Sequence, residues 1–63
     1  MMSKPGTVVM ATETFTSTFE SSITKNSIYV VQKEGMVKLH YIIDDRGRAA
    51  AFHVDRFKII LSP

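Results

Sequence analysis

Hydrophobic and polar residues alternate with a period of two along two neighbouring segments in the second half of the chain. The first segment is Val37–Ile43 and the second is Ala49–Val54, and the residues between them, Asp44–Arg48, favour a turn. Such alternation is typical of half-buried β-strands, and a short polar centre joins two of them into a hairpin. The pattern therefore predicts a β-hairpin as the central element of the fold.

The rest of the chain predicts further strands joined by short connections. We expect strands over the segments Thr7–Glu13, Ser27–Lys33 and Phe57–Leu61. Residues 14–24 are rich in Ser and Thr, which are poor helix formers, and predict a long loop whose aromatic residues fold back onto the domain. Turns are expected at Lys25-Asn26 and Glu34-Gly35, and one helical turn at Val54–Arg56. About five short strands in so short a chain indicate an all-β fold, a closed or nearly closed small barrel.

Two registers compete for the central hairpin. A three-residue loop centred on Arg46 would place His40 opposite Phe52 and Leu39 opposite His53. This register puts a histidine among core residues and an aromatic ring on the solvent face. A shift by one residue exchanges the two faces of a strand, so the choice decides which side chains are buried.

The shifted register keeps the larger apolar side chains inside. Its inner pairs are Leu39–Val54, Tyr41–Phe52 and Ile43–Ala50, and its outer pairs are Lys38–Asp55, His40–His53 and Ile42–Ala51. Burial of a ring such as Phe52 contributes roughly 1.5–3 kcal/mol, whereas the opposed Lys38 and Asp55 charges contribute only ~0.2–1 kcal/mol. We therefore predict the shifted register, with both imidazoles facing solvent and Gly47 supplying the positive φ of the turn.

Composition bounds the class of protein. The chain has 63 residues and no cysteine, so the sequence predicts one domain over residues 7–62 behind a flexible leader, residues 1–6, without disulfides. It contains no apolar run of about 20 residues, and we expect a cytoplasmic protein. Eight basic and six acidic residues give a net charge of +2, which is only a weak indication of nucleic-acid binding.

Several motifs resemble those of a known family. They are the run Ile23-Thr24-Lys25-Asn26-Ser27-Ile28-Tyr29-Val30-Val31, then Asp44-Asp45-Arg46-Gly47, then Arg56-Phe57-Lys58. Together with the order of elements, they resemble small SH3-like proteins common in bacteriophages, whose pattern is approximately Leu-Thr-Lys-Gly-Lys-x-Tyr-x-Val, Asp-x-Gly and a late Arg-Phe pair. The resemblance covers most of the chain from Gly6 onward. Asn26 departs from it, because glycine is usual there, although Asn can fill the same left-handed turn.

The resemblance carries implications for fold more than for activity. It implies a small SH3-like barrel of about five antiparallel strands, with a long loop after the first strand and a one-turn helix before the last. It also implies a phage-type accessory protein that engages a host factor. The chain lacks the Ala-Leu-Tyr-Asp-Tyr run and the paired tryptophan of eukaryotic SH3 domains, which argues against binding of proline-rich peptides.

The residues that could carry chemistry do not form a catalytic set. His40 and His53 are a metal-like pair without a third ligand. Asp44 and Asp45 are ordinary turn residues, since adjacent carboxylates in a strand point to opposite faces. No Ser or Thr has His and Asp at the spacing of a triad, and no glycine-rich phosphate loop is present. The sequence therefore predicts no enzyme, cofactor or metal site.

An interaction module is the function that the sequence favours. We expect it to bind a protein partner, such as a bacterial host protein, through the 14–24 loop and the outer face of the hairpin; the candidate residues are Phe15, Phe19, Tyr29, His40, Ile42 and His53. Self-association through an open barrel edge is a related option. The alternative is a nucleic-acid-binding barrel with salt-sensitive affinity, and its basic edge would comprise Lys38, Arg46, Arg48, Arg56 and Lys58.

Overall fold

The structure, a computed structural model, describes residues 4–34 and 38–63. Within these ranges the regular elements are strands and one 3-10 turn, Val54–Arg56. The strands are β1 Val8–Ala11, β2 Phe15–Thr16, β3 Ser22–Ile23, β4 Ile28–Lys33, β5 Leu39–Ile43, β6 Ala49–His53 and β7 Phe57–Leu61. The fold is all-β, as the hydrophobic pattern predicted, and the expected helical turn directly precedes the last strand.

Five of the strands form one antiparallel sheet in the order β6-β5-β4-β1-β7. The chain therefore runs from β1 to its neighbour β4, continues through the β5–β6 hairpin, and returns along the other side of β1 as β7. β6 and β7 form the two edges of this sheet. This arrangement confirms the predicted all-β fold with about five antiparallel strands and one helical turn before the last strand.

Residues 14–24 contain more structure than the plain loop that the sequence predicted. Phe15 pairs with Ile23 and Thr16 pairs with Ser22, so β2 and β3 form a small hairpin of their own. Aromatic and β-branched residues at the paired positions favour this extended backbone. Ile23 belongs to the hydrophobic core, which attaches the hairpin to the main sheet.

Two residues with positive φ set the turns as predicted. Asn26 has φ +71° and closes the turn before β4, where the Ser27 N–H donates to the Thr24 carbonyl at 3.0 Å. Gly47 has φ +80° in the turn between β5 and β6. Glycine and asparagine adopt this left-handed conformation at the lowest cost, so both predictions follow from backbone sterics.

The predicted register of the β5–β6 hairpin is wrong. The observed pairs are Leu39–His53, His40–Phe52, Tyr41–Ala51, Ile42–Ala50 and Ile43–Ala49. His40 and Ile42 therefore lie on the inner face together with Phe52, and all three are buried. His53 faces solvent as expected, but it does not oppose His40. The predicted Lys38–Asp55 pair is also absent from this register, and Asp55 instead lies 3.3 Å from the His53 ring.

Turn chemistry explains the register. Asp44 stands first and Gly47 fourth in a turn where the Gly47 N–H donates to the Asp44 carbonyl at 3.0 Å, and these are preferred residues at those positions of a type I turn. Glycine in the left-handed region then completes a three-residue hairpin loop centred on Arg46. On the outer face, Tyr41 is only partly exposed, because the Lys33 ammonium lies 4.5 Å from its ring centre. The free-energy cost of placing the Tyr41 ring on the outer face is therefore smaller than it would be for a fully exposed ring.

The core lies between the inner face of the sheet and the β2–β3 hairpin. It consists of seven buried apolar residues, which are Val9, Ala11, Ile23, Tyr29, Val31, Ile42 and Phe52. Phe57 connects this core to His40, whose ring packs edge-to-face against it at 5.4 Å. Such edge-to-face packing lets a neutral imidazole occupy an interior position at modest cost.

Some expectations fall wholly or partly on residues outside the described ranges. These are the Met1–Ser3 part of the leader, Gly35 of the turn after β4, and Val37 at the predicted start of the hairpin. The described part of the leader forms a turn that is attached to β4. There the Gly6 N–H donates to the Val31 carbonyl at 2.8 Å.

Candidate protein-interaction site

Phe15 is part of the packed structure. Its ring contacts that of Phe52 edge-to-face, with centroids 6.3 Å apart. The Arg56 guanidinium stacks over the Phe15 ring at 3.5 Å and forms an ion pair with Glu13. Phe15 therefore anchors the base of the β2–β3 hairpin and is not free to bind a partner. It folds back onto the domain, as the sequence predicted for the aromatic residues of this loop.

Phe19 differs, because 84% of its surface is exposed at the tip of the same hairpin. Backbone hydrogen bonds hold this tip: the Ser17 N–H donates to the Ser21 carbonyl at 2.8 Å, and the Glu20 N–H to the Ser17 carbonyl at 2.9 Å. The Ser17 hydroxyl also accepts the Ser21 N–H at 3.2 Å. Glu20 has φ +66°, an unfavourable conformation for glutamate that costs about 1–2 kcal/mol. The ring is thus presented on a defined turn.

Asp45 connects the base of this hairpin to the rest of the domain. Its carboxylate accepts hydrogen bonds from the Tyr29 hydroxyl at 2.6 Å and from the Thr24 hydroxyl at 2.7 Å. The Tyr29 oxygen in turn accepts the Thr24 N–H at 2.8 Å. Burial and the Asp45 hydrogen bond both raise the pKa of Tyr29. The tyrosine is therefore a structural group held inside the domain.

Asp44, the neighbour of Asp45, fixes the turn between β5 and β6. One carboxylate oxygen accepts the N–H groups of Arg46 at 3.1 Å and Arg48 at 2.9 Å, and the other accepts the Ser22 N–H at 3.1 Å. Burial alone would raise the pKa of Asp44, but the three hydrogen bonds outweigh it and hold the pKa below its ordinary value. Since Ser22 lies in β3, Asp44 joins the β5–β6 turn to the hairpin that carries Phe19.

Besides Phe15, the structure removes three residues from the candidate protein-binding surface. Tyr29, His40 and Ile42 are all buried, whereas the sequence placed them within reach of a partner. Tyr29 is enclosed through its hydroxyl contacts, and the other two are turned inward by the observed register of β5. Phe19 and His53 remain exposed, the first at the tip of the β2–β3 hairpin and the second at the end of β6.

Burial of His40 predicts an acid-sensitive fold. Burial lowers the pKa of His40 from its ordinary value of 6.5, so the folded state favours the neutral ring. At pH values between 6.5 and the lower pKa of the folded state, the unfolded chain binds more protons at His40 than the folded chain does. The stability contributed by the neutral ring is therefore complete above about pH 6.5 and is lost as the pH falls, by at most about 1.36 kcal/mol per pH unit.

Urea unfolding measured between about pH 7.5 and pH 5.5 tests this prediction, because most carboxylates titrate below that window. We expect the free energy of unfolding to decrease toward pH 5.5. The His53→Gln variant, which changes the exposed histidine, is expected to keep the decrease, and His40→Leu to lose it. Equal pH dependence in His40→Leu and the unsubstituted chain would contradict the assignment.

The five basic residues of the alternative function are dispersed. Lys38 and Arg46 lie beyond opposite ends of β5, whose five residues span about 16 Å. Arg46 and Arg48 share their turn with the carboxylates of Asp44 and Asp45, and Arg56 is paired with Glu13. Lys58 lies on β7, at the sheet edge opposite β6. Three of the five cations, Arg46, Arg48 and Arg56, therefore lie beside carboxylates, and the basic edge stays a prediction.

The described part of the chain contains neither a metal-binding cluster nor a membrane-spanning helix. In residues 4–34 and 38–63, no three His, Cys, Asp or Glu side chains come together as a group that could hold a metal ion. No helix there combines the length and the apolar character needed to cross a bilayer. Comparisons with protein-family models, curated proteins and solved structures find no match to this chain.

Proposed function

We propose that this chain is a non-enzymatic interaction module that binds another protein through Phe19 at the tip of the β2–β3 hairpin. The observation that supports the proposal is the 84% exposure of this ring on a turn fixed by hydrogen bonds. Large exposed aromatic residues are disfavoured in water, and rings of this type are common binding hot spots. The strained φ of Glu20 adds support, because backbone strain is concentrated at functional positions.

The geometry favours a partner with a concave apolar pocket. Phe19 has few rotatable bonds and projects from a preformed turn, so little conformational entropy is lost when the ring inserts. Glu20 follows it directly and is exposed. We therefore expect the partner pocket to have a basic group at its rim. The resemblance to bacteriophage SH3-like proteins is the reason to search for this partner among cytoplasmic proteins of a bacterial host.

Replacing Phe19 with alanine tests this proposal directly. The unsubstituted chain and Phe19→Ala are immobilised, exposed to bacterial lysate, and compared by quantitative mass spectrometry. We expect a host protein that the unsubstituted chain retains to be lost from Phe19→Ala, by about 30-fold or more, which corresponds to a hot spot of at least ~2 kcal/mol. Because the ring is exposed, thermal unfolding of the variant should change little.

Thr18→Ala is the matched control, since this neighbouring residue is also exposed in the turn and lacks a ring. It should retain the partner. Equal retention by Phe19→Ala and Thr18→Ala would overturn the proposal. Recovery of nucleic acid alone, with affinity falling steeply as salt rises, would favour the alternative function instead.

A further inference from the structure

β7 forms one edge of the five-stranded sheet and carries an exposed apolar sequence. It pairs with β1 on one flank, and the sheet order places no strand of the described residues on the other. Ile59, Ile60 and Leu61 are all exposed there. Natural edge strands are commonly protected by charged residues, proline or a bulge. In β7, Lys58 is the single charge, Pro63 lies beyond the end, and the pairing with β1 has one bulge, at Ile60, on the C-terminal side of Ile59.

The exposed side chains of β7 lie on both faces of the sheet. Ile59 opposes Val9, which is 0% exposed, so Ile59 lies on the core side, yet 56% of its surface is exposed. The pairing skips Ile60 between Val9 and Val8, so Leu61 opposes Val8, the residue adjacent to Val9, and lies on the outer side although it is two residues from Ile59. A surface packed against one face would cover only one of these side chains. Another strand laid alongside β7 would contact both.

The alternating hydrogen-bond pattern between β1 and β7 shows which backbone groups of β7 face the free edge of the sheet. Thr12 opposes Arg56 when the β1–β7 register is continued, and its N–H donates to the Arg56 carbonyl at 2.8 Å. Antiparallel ladders alternate, so Lys58 also directs its backbone groups toward β1, and Ile59 directs its N–H and C=O away from β1. Ile59 therefore offers a donor and an acceptor to an additional strand.

We propose that two copies of this chain form a two-fold dimer in which their β7 strands pair antiparallel about Ile59. The outward N–H and C=O of Ile59 match those of Ile59 in the second copy, as a two-fold axis at a hydrogen-bonded pair requires. Lys58 then opposes Ile60, so the one charge of β7 does not meet its own copy. This surface is separate from Phe19, and the dimer does not rest on the proposed function.

Sedimentation equilibrium of the full chain tests the dimer. An interface of two five-residue strands is small, so we expect the mass to rise from 7.1 kDa toward twice that value over a range from about 10 μM to about 1 mM. Ile59→Lys and Ile59→Glu each place like charges opposite one another and should weaken association at least about tenfold. An equimolar mixture of the two variants should restore the dimer.

Ile28→Lys is the control, because Ile28 is 54% exposed on β4, away from the edge. It should associate like the unsubstituted chain, and circular dichroism should show that all variants remain folded. A mass of 7.1 kDa at every concentration, or equal association by Ile59→Lys, would overturn the proposal. A monomeric chain that loses a captured lysate protein only in Ile59→Lys would assign the edge to a strand of another protein, which also overturns the dimer.

Discussion

Replacing Ile42 with alanine is expected to lower the free energy of unfolding by about 2–5 kcal/mol, through lost burial and the cavity left behind. Ile42 is 0% exposed on the inner face of β5, whereas the adjacent Ile43 is 42% exposed on the outer face. Ile43→Ala should therefore cost less than about 1 kcal/mol. For a domain of this size the first loss is a large part of the total stability.

Urea unfolding of the two variants separates the two registers of the β5–β6 hairpin. In the shifted register, Ile43 would face the core and Ile42 the solvent, so the larger loss would belong to Ile43→Ala. That result would contradict the observed pairing. If Ile42→Ala does not fold, Ile42→Val should still show a loss of about 0.5–1.5 kcal/mol, since it removes one buried methylene.

The contrast between these two residues shows how much of the fold could be predicted. Alternating side chains located the strands of the central hairpin, because that period is a local property of the sequence. The register depended on a comparison between burial and turn chemistry. Burial alone favours the wrong register, because a neutral His40 packs against Phe57 and Lys33 covers the outward Tyr41. Asp44 and Gly47, at preferred positions of a type I turn, were the available signal.

The candidate site was predictable only in part, because its shape depends on contacts between distant residues. The sequence located the loop that carries Phe15 and Phe19 but could not say which ring packs down. That choice depends on Arg56 stacking over Phe15 and on Phe52 beside it. Likewise, the sequence predicts that Tyr29 is available to a partner, whereas its hydroxyl donates a hydrogen bond to Asp45, sixteen residues away. No local pattern encodes such contacts.

Asp44→Ala is expected to have the largest effect of any polar substitution in the domain. The change leaves the N–H groups of Ser22, Arg46 and Arg48 without their acceptor. A hydrogen bond to a charged group contributes ~1.5–3 kcal/mol, and the three losses are not additive. We expect the free energy of unfolding to fall by about 3 kcal/mol. Because Ser22 belongs to β3, hydrogen exchange should also show loosening of the hairpin that bears Phe19.

Asp44→Asn provides a graded comparison, because its amide oxygen can still accept the two turn N–H groups while its NH₂ group meets the Ser22 N–H. We expect an intermediate loss of stability. The folded pKa of Asp44 lies below its ordinary value of 3.8, so the contribution of the carboxylate is complete above that value and is lost as the pH falls toward the folded pKa. Asp44→Asn should lack this part of the acid dependence. Unfolding curves of Asp44→Ala that match those of the unsubstituted chain at neutral pH would show that the carboxylate does not fix the turn.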